Sequence, residues 1–304
     1  MTSASDFRVT LLGTGVPIPR ADRFGPSTLI EAGARKLLID AGRGATIRLN
    51  QLGVPMGNID ALLLTHFHSD HTSGIPDVWL TGWLQSHFAR RTTPFHVIGP
   101  IGTRTLMSGL EMAYRRDIEI RIADEQLPPE GAAVEVDEFD GDGVVFDRDG
   151  LRVTAFEVDH GAVITPAYGY RIEYGGRVAV ISGDTRYNEN VVKFGTDADL
   201  LVHEVAIARP ELMAEAFIQR IMAHHTTARE AGTVFTRCRP KLAAFTHLVF
   251  LASETIGPAS NADLIAEARE TYGGPLEVGE DLMSFTIDGE VTIHRAAQGY
   301  STDL

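Results

Sequence analysis

Three histidines and an aspartate fall within six positions of the stretch LLLTHFHSDH: His66, His68, Asp70 and His71. Imidazole and carboxylate groups are ligands for divalent cations. Buried without partners, such groups cost about 2–7 kcal/mol each, so a bound cation is the expected compensation. Side chains repeat with period two along an extended backbone, which turns His66 and His68 to the same side, where they can hold one cation. Asp70 and His71, one turn further on, can reach a second. A lone histidine reads as structural, but four ligand-type residues in six positions point to metal.

The remaining candidates each close a strand-like run: Asp40 after LLI, His160 after VTAFEVD, Asp184 after VAVISG and His247 after LAAFT. Convergence of those ends would bring them to one cleft. The run DALLLT before the histidine cluster is continuously apolar, as in a strand covered on both faces, and α/β sheets hold their sites at the carboxyl ends of such strands. A hairpin pairs residues 28–31 with 36–39, and YGG turns another near 174–176. Helical spacing marks residues 43–52, 75–88, 102–116, 210–222, 227–237 and 260–271. Strands alternate with these helices, and no repeat, linker or boundary interrupts them. The expectation is an α/β chain forming one domain over 1–304, two sheets between helical layers. Residues 115–150 are the least legible segment and are expected at the edge of the site.

The chain of 304 residues has 44% apolar and 22% charged residues, an ordinary globular composition. No apolar run reaches the ~18 residues of a membrane span, and the N-terminus lacks the pattern of a secretory leader. The single cysteine, Cys238, needs no oxidising compartment and is expected to be inert, so a cytoplasmic location is expected. Net charge is −14, with twelve acidic residues against two arginines between Asp117 and Asp149. Nucleic acid affinity comes largely from Lys and Arg, so extended nucleic acid is not the expected partner.

The order LLGTG…LLIDAG…THFHSDH…DHG…AYGYRI…SGDT…THL resembles the metallo-β-lactamase fold, in its ribonuclease Z and arylsulfatase-like branch. The resemblance spans Val9 to about Phe285 and implies a four-layer αββα sandwich. It implies one metal on His66, His68 and His160, another on Asp70, His71 and His247, Asp184 bridging both, and Asp40 supporting the site from behind. Zinc is the expected metal for such ligands, with manganese or iron as alternatives. Two cations ~3.5–4 Å apart can share a water and bring its pKa near ~7, giving a bridging hydroxide. HEVA and HHTTARE resemble the family segments that supply a glutamate and a histidine near the site. TARE reads as a capping box, which starts a helix at Thr227 and favours His225 over His224 at its entrance. Glu204 orienting His225 as proton donor to the leaving oxygen is the expected catalytic pair, beside Asp70. Tyr168, Tyr170, Trp79 and Trp83 read as core more than as a pocket for an aromatic group.

The family's ribonucleases carry a tRNA-gripping arm between the GYRI-type strand and SGDT, where this chain has a plain hairpin. A small ester-like substrate, a phosphodiester, aryl sulfate or lactone, is therefore the leading expectation for this metal-dependent hydrolase. An RNA-processing endonuclease of ribonuclease Z type without the arm is the alternative, with weak β-lactam hydrolysis a third. A homodimer is the expected assembly.

Overall fold

A computed structural model describes residues 7–295. The first half of the chain supplies β1 (Phe7–Gly13), β2 (Ser27–Ala32), β3 (Arg35–Ile39), β4 (Ala61–Leu63), β5 (Phe95–Pro100) and β6 (Val134–Phe139). The second supplies β7 (Gly143–Arg148), β8 (Leu151–Glu157), β9 (Tyr168–Tyr174), β10 (Arg177–Ile181), β11 (Leu200–Ile207), β12 (Leu242–Phe250) and β13 (Leu276–Val278). The chain then returns to the first sheet with β14 (Ser284–Ile287) and β15 (Val291–His294). The sheets run β15-β14-β1-β2-β3-β4-β5-β6 and β13-β12-β11-β10-β9-β8-β7.

Alternation along each strand sets the layers. Phe7, Val9 and Leu11 of β1 meet Val153, Ala155, Ile172 and Val202 between the sheets, while Leu12 turns outward. The outer face of the first sheet buries Ala45, Leu49, Val78, Trp79 and Met107 from the helices 45–51, 75–83 and 103–124. The outer face of the second buries Val191, Val234, Phe235 and Leu264 from the helices 189–195, 228–238 and 261–269. Helix, sheet, sheet, helix is the four-layer α/β order expected. Cys238 ends the helix 228–238 and packs against the helix 189–195, fully buried, its thiol pushed up to about 12 by burial, so it is no nucleophile.

Trp79, Trp83, Tyr168 and Tyr170 are all core residues. Trp79 Nε1–H donates to the Ala132 carbonyl at 3.0 Å and Trp83 Nε1–H to that of Pro128 at 2.8 Å, so both indoles staple the segment before β6. The helix Thr103–Asp124 runs eight residues past its predicted end, carried by Arg121 between Asp117 and Glu125 at i,i+4 spacing. The rest of the illegible stretch builds β6 and β7, the edge strands of the two sheets. The acidic excess therefore lies along one flank of the sandwich. Between β9 and β10 only Gly175 and Gly176 intervene, as the hairpin reading expects. Among the described residues no helix is long and apolar enough to cross a membrane.

Candidate metal centre

Strand ends deliver the side chains. β3 and β4 are parallel neighbours, so Asp40 and the segment after Leu63 leave the sheet side by side. His66 follows β4 outside any strand, His68 lies on extended backbone, and Asp70 and His71 lie on the single helical turn Ser69–Thr72. The chain passes under that turn very closely. A Cβ on Gly42 would stand 2.4 Å from the Asp70 carbonyl oxygen and 2.4 Å from the Gly25 carbonyl carbon. Gly42→Ala is thus expected to cost about 1–3 kcal/mol by displacing backbone and to weaken metal retention as Asp70 moves. Denaturant unfolding and zinc titration check this; unchanged values in both would remove the packing argument.

His160 follows β8, and Asp184 follows β10 through Gly183, where φ is 63° and a Cβ would stand 2.3 Å from the Tyr168 carbonyl oxygen, so glycine is required. His247 was expected to end its strand. Instead β12 continues to Phe250, and His247 is a bulge within it: Glu204 pairs with Thr246 and Val205 with Leu248. Its φ of 43° marks the local distortion, and a bulge of this kind re-aims a side chain.

The seven predicted ligand residues come together. Ligand atoms of His66, His68, His160 and Asp184 lie within 4.8 Å of one another, as do those of Asp70, His71 and His247. Asp184 Oδ2 is the meeting point, 3.3 Å from His247 Nε2, 3.4 Å from His71, 3.7 Å from His160 and 3.9 Å from His66. His247 Nε2 is also 3.3 Å from Asp70 Oδ2. All except the half-buried His68 are buried.

The polar bookkeeping of these groups tests whether metal ions fit. His71 Nδ1 stands 2.7 Å from Asp40 Oδ2, and His160 Nδ1 2.8 Å from the His224 carbonyl oxygen. Those acceptors place the proton on Nδ1 and leave the Nε2 lone pair free. The Nε2 atoms of His66, His71 and His160 are buried without any hydrogen-bond partner. Three such orphans around one carboxylate oxygen suit divalent cations and little else. Burial holds His160 down to about 4 and keeps His66 well below the usual imidazole range, as neutral ligands require. Burial alone would raise Asp184, but the charges of His247 and His71 hold it far below the ordinary carboxylate range.

Beside the cluster, Glu204 Oε1 accepts the N–H groups of Thr226 at 3.0 Å and Thr185 at 3.2 Å, while Oε2 faces His225 Nδ1 at 3.2 Å. Burial opposes a charge on His225, yet the carboxylate prevails and raises it to about 9. The ring of His225 lies 5.6 Å from that of His247 and 5.0 Å from that of His160. Thr227 and Glu230 form the expected capping box and start the helix at Ala228. His224 contributes its backbone carbonyl to His160, a role that no side-chain pattern announces. Thr65, Thr185 and Thr226, which support these groups, were equally absent from the sequence reading. Thr65 alone had a signal, a hydroxyl between a buried strand and the first ligand.

Residues 35–248 match the family described as beta-lactamase superfamily domain. Ribonuclease Z of Mycobacterium bovis is 39% identical over 280 residues, covering 90% of this chain and 96% of its own. The chain belongs to the metallo-β-lactamase superfamily, in its ribonuclease Z-like branch. Ribonuclease Z of Mycolicibacterium gilvum is 40% identical over the same length, covering 90% of the chain and 94% of its own. Among solved structures, the human short-form tRNase Z superposes with a TM-score of 0.67 at 24% identity over 92% of this chain and 99% of its own. The metallo-β-lactamase fold protein YhfI of Bacillus subtilis gives 0.69 at 21% identity, over 91% and 98% of the two chains. This superfamily member is a hydrolase whose fold implies divalent metal ions.

One expectation is overturned. Extended nucleic acid was disfavoured because the chain lacks an arm and is acidic, and a small-molecule partner was preferred. Relatives named ribonuclease Z align over 280 positions that take in 90% of this chain, so they too have no space for an arm-length insertion missing here. Absence of an arm therefore does not separate this chain from them. Net charge misled for a second reason: most of the acidic excess falls between Asp117 and Asp149, on the end of the helix Thr103–Asp124 and around β6 and β7, and a whole-chain sum says nothing of the face around the metal centre.

Proposed function

We propose that this chain is a dinuclear, zinc-dependent RNA phosphodiesterase of ribonuclease Z type, acting in the cytoplasm without an inserted arm. The observation that carries the reading is the set of three orphaned Nε2 atoms gathered around Asp184, in a chain 39% identical to a ribonuclease Z. His66, His68 and His160 would hold one cation, Asp70, His71 and His247 the other, and Asp184 both. Bound there, the cations would supply an ionised water nucleophile and a Lewis acid for the phosphoryl oxygens. The protein's own part is positioning and proton transfer. Glu204 is fixed by two backbone N–H groups and turns His225 Nδ1 toward itself, leaving Nε2 as the donor. With its pKa raised to about 9, His225 holds a proton at neutral pH and delivers it to the departing ribose oxygen.

A tRNA precursor with a 3′ extension, offered to the zinc-loaded protein at moderate salt, tests the reading, with bis(p-nitrophenyl) phosphate as a control for phosphodiester chemistry. Cleavage at a defined site, lost on chelation and regained with zinc, supports it. Turnover of the small diester with no cleavage of the precursor would sink the RNA assignment.

A further inference from the structure

Thr65 stands between the two groups of ligands. It follows β4, is 1% exposed, and is held from the other sheet, where Tyr168 N–H donates to its carbonyl at 3.0 Å and Tyr170 O–H to that of Leu64 at 2.5 Å. Its side chain has one proton to give. That proton goes to Asp40 Oδ2 at 2.7 Å, and the Thr65 N–H goes to Asp40 Oδ1 at 2.8 Å. His66 Nδ1, 3.0 Å from Thr65 Oγ1, thus meets a lone pair and must be the donor, which frees Nε2. Asp40 Oδ2, braced by the same hydroxyl, takes the Nδ1 proton of His71 at 2.7 Å and frees that Nε2 as well. The two imidazoles belong to different ligand groups, His66 with His68 and His160, His71 with Asp70 and His247.

We propose that Thr65 is a positioning residue at the join of the two cation sites: its hydroxyl selects the tautomer of His66 and braces the Asp40 carboxylate that selects the tautomer of His71. This rests on the two-cation reading above. The dependence is asymmetric. In Thr65→Val the Asp40 carboxylate keeps its backbone N–H and His71, but His66 Nδ1 loses its acceptor and both tautomers become accessible. The site of His66 should weaken about 10–100-fold, the usual effect of removing a partner behind a metal ligand, while the site of His71 changes much less.

The test strips the protein with a chelator and titrates Zn²⁺ against a chromophoric competitor. Wild type should bind two ions tightly, Thr65→Val one tightly and one weakly, and Thr65→Ser two again. Long-range proton–nitrogen NMR of the zinc-loaded wild type reads the His66 tautomer directly and needs no variant to fold; a proton on Nε2 there overturns the proposal. So does Thr65→Val holding both ions as wild type does, or equal loss of both ions in the valine and serine variants, which would make Thr65 a packing residue. Fewer than two ions in the wild type defeats the two-cation reading instead, and is distinguished by needing no variant.

Discussion

Asp184→Asn is expected to reduce bound zinc from two ions per chain to one or fewer and hydrolysis to below about one-thousandth of wild type. One oxygen, Oδ2, lies within 3.3–3.9 Å of four imidazole nitrogens from β12, the turn after β4 and the loop after β8. An amide keeps the shape but removes the negative charge that offsets two cations, and it can place an N–H where a lone pair must be. Loss of several kcal/mol of charge stabilisation, at ~1.4 kcal/mol per decade, sets the thousandfold scale. Elemental analysis of the purified variant and diesterase assays at matched zinc read the two effects. Retention of two ions with full activity would show that the cluster at Asp184 is not where the cations sit.

The candidate ligands were legible because metal chemistry restricts residue types and strand ends restrict places. His66, His68, Asp70 and His71 declare themselves by spacing, and His160, Asp184 and His247 by closing apolar runs. What could not be read is what depends on distant partners. Asp281 accepts from Thr14 N–H and Oγ1–H, from Phe24 N–H and from Arg48, joining segments over 230 positions away in sequence, and nothing local marks it. The bulge at His247 was invisible because a strand with an extra residue has the same alternation on either side of it. The short strand β13 has three residues, too few to show a period. The expectation against extended nucleic acid failed for a related reason: absence of an insertion is informative against a family only when its members all possess it.

His225→Ala carries the second large effect, and it separates chemistry from assembly. Two zinc ions should remain, because the structure places His225 beside the cluster with its Nδ1 committed to Glu204. Turnover should fall about 10²–10⁴-fold, the range for losing a positioned proton donor. A substrate with an activated leaving group, such as a p-nitrophenyl diester, needs less help from an acid and should lose less than RNA does. Glu204→Gln tests the same pair through pH. Glu204 raises His225, so its removal lowers that pKa. A general acid works below its pKa, hence the alkaline limb of the rate profile should move to lower pH in the variant, with the acidic limb in place. An alkaline limb that stays fixed, or equal loss of zinc and of rate in His225→Ala, would return both residues to a structural role and leave the leaving oxygen to take its proton from solvent.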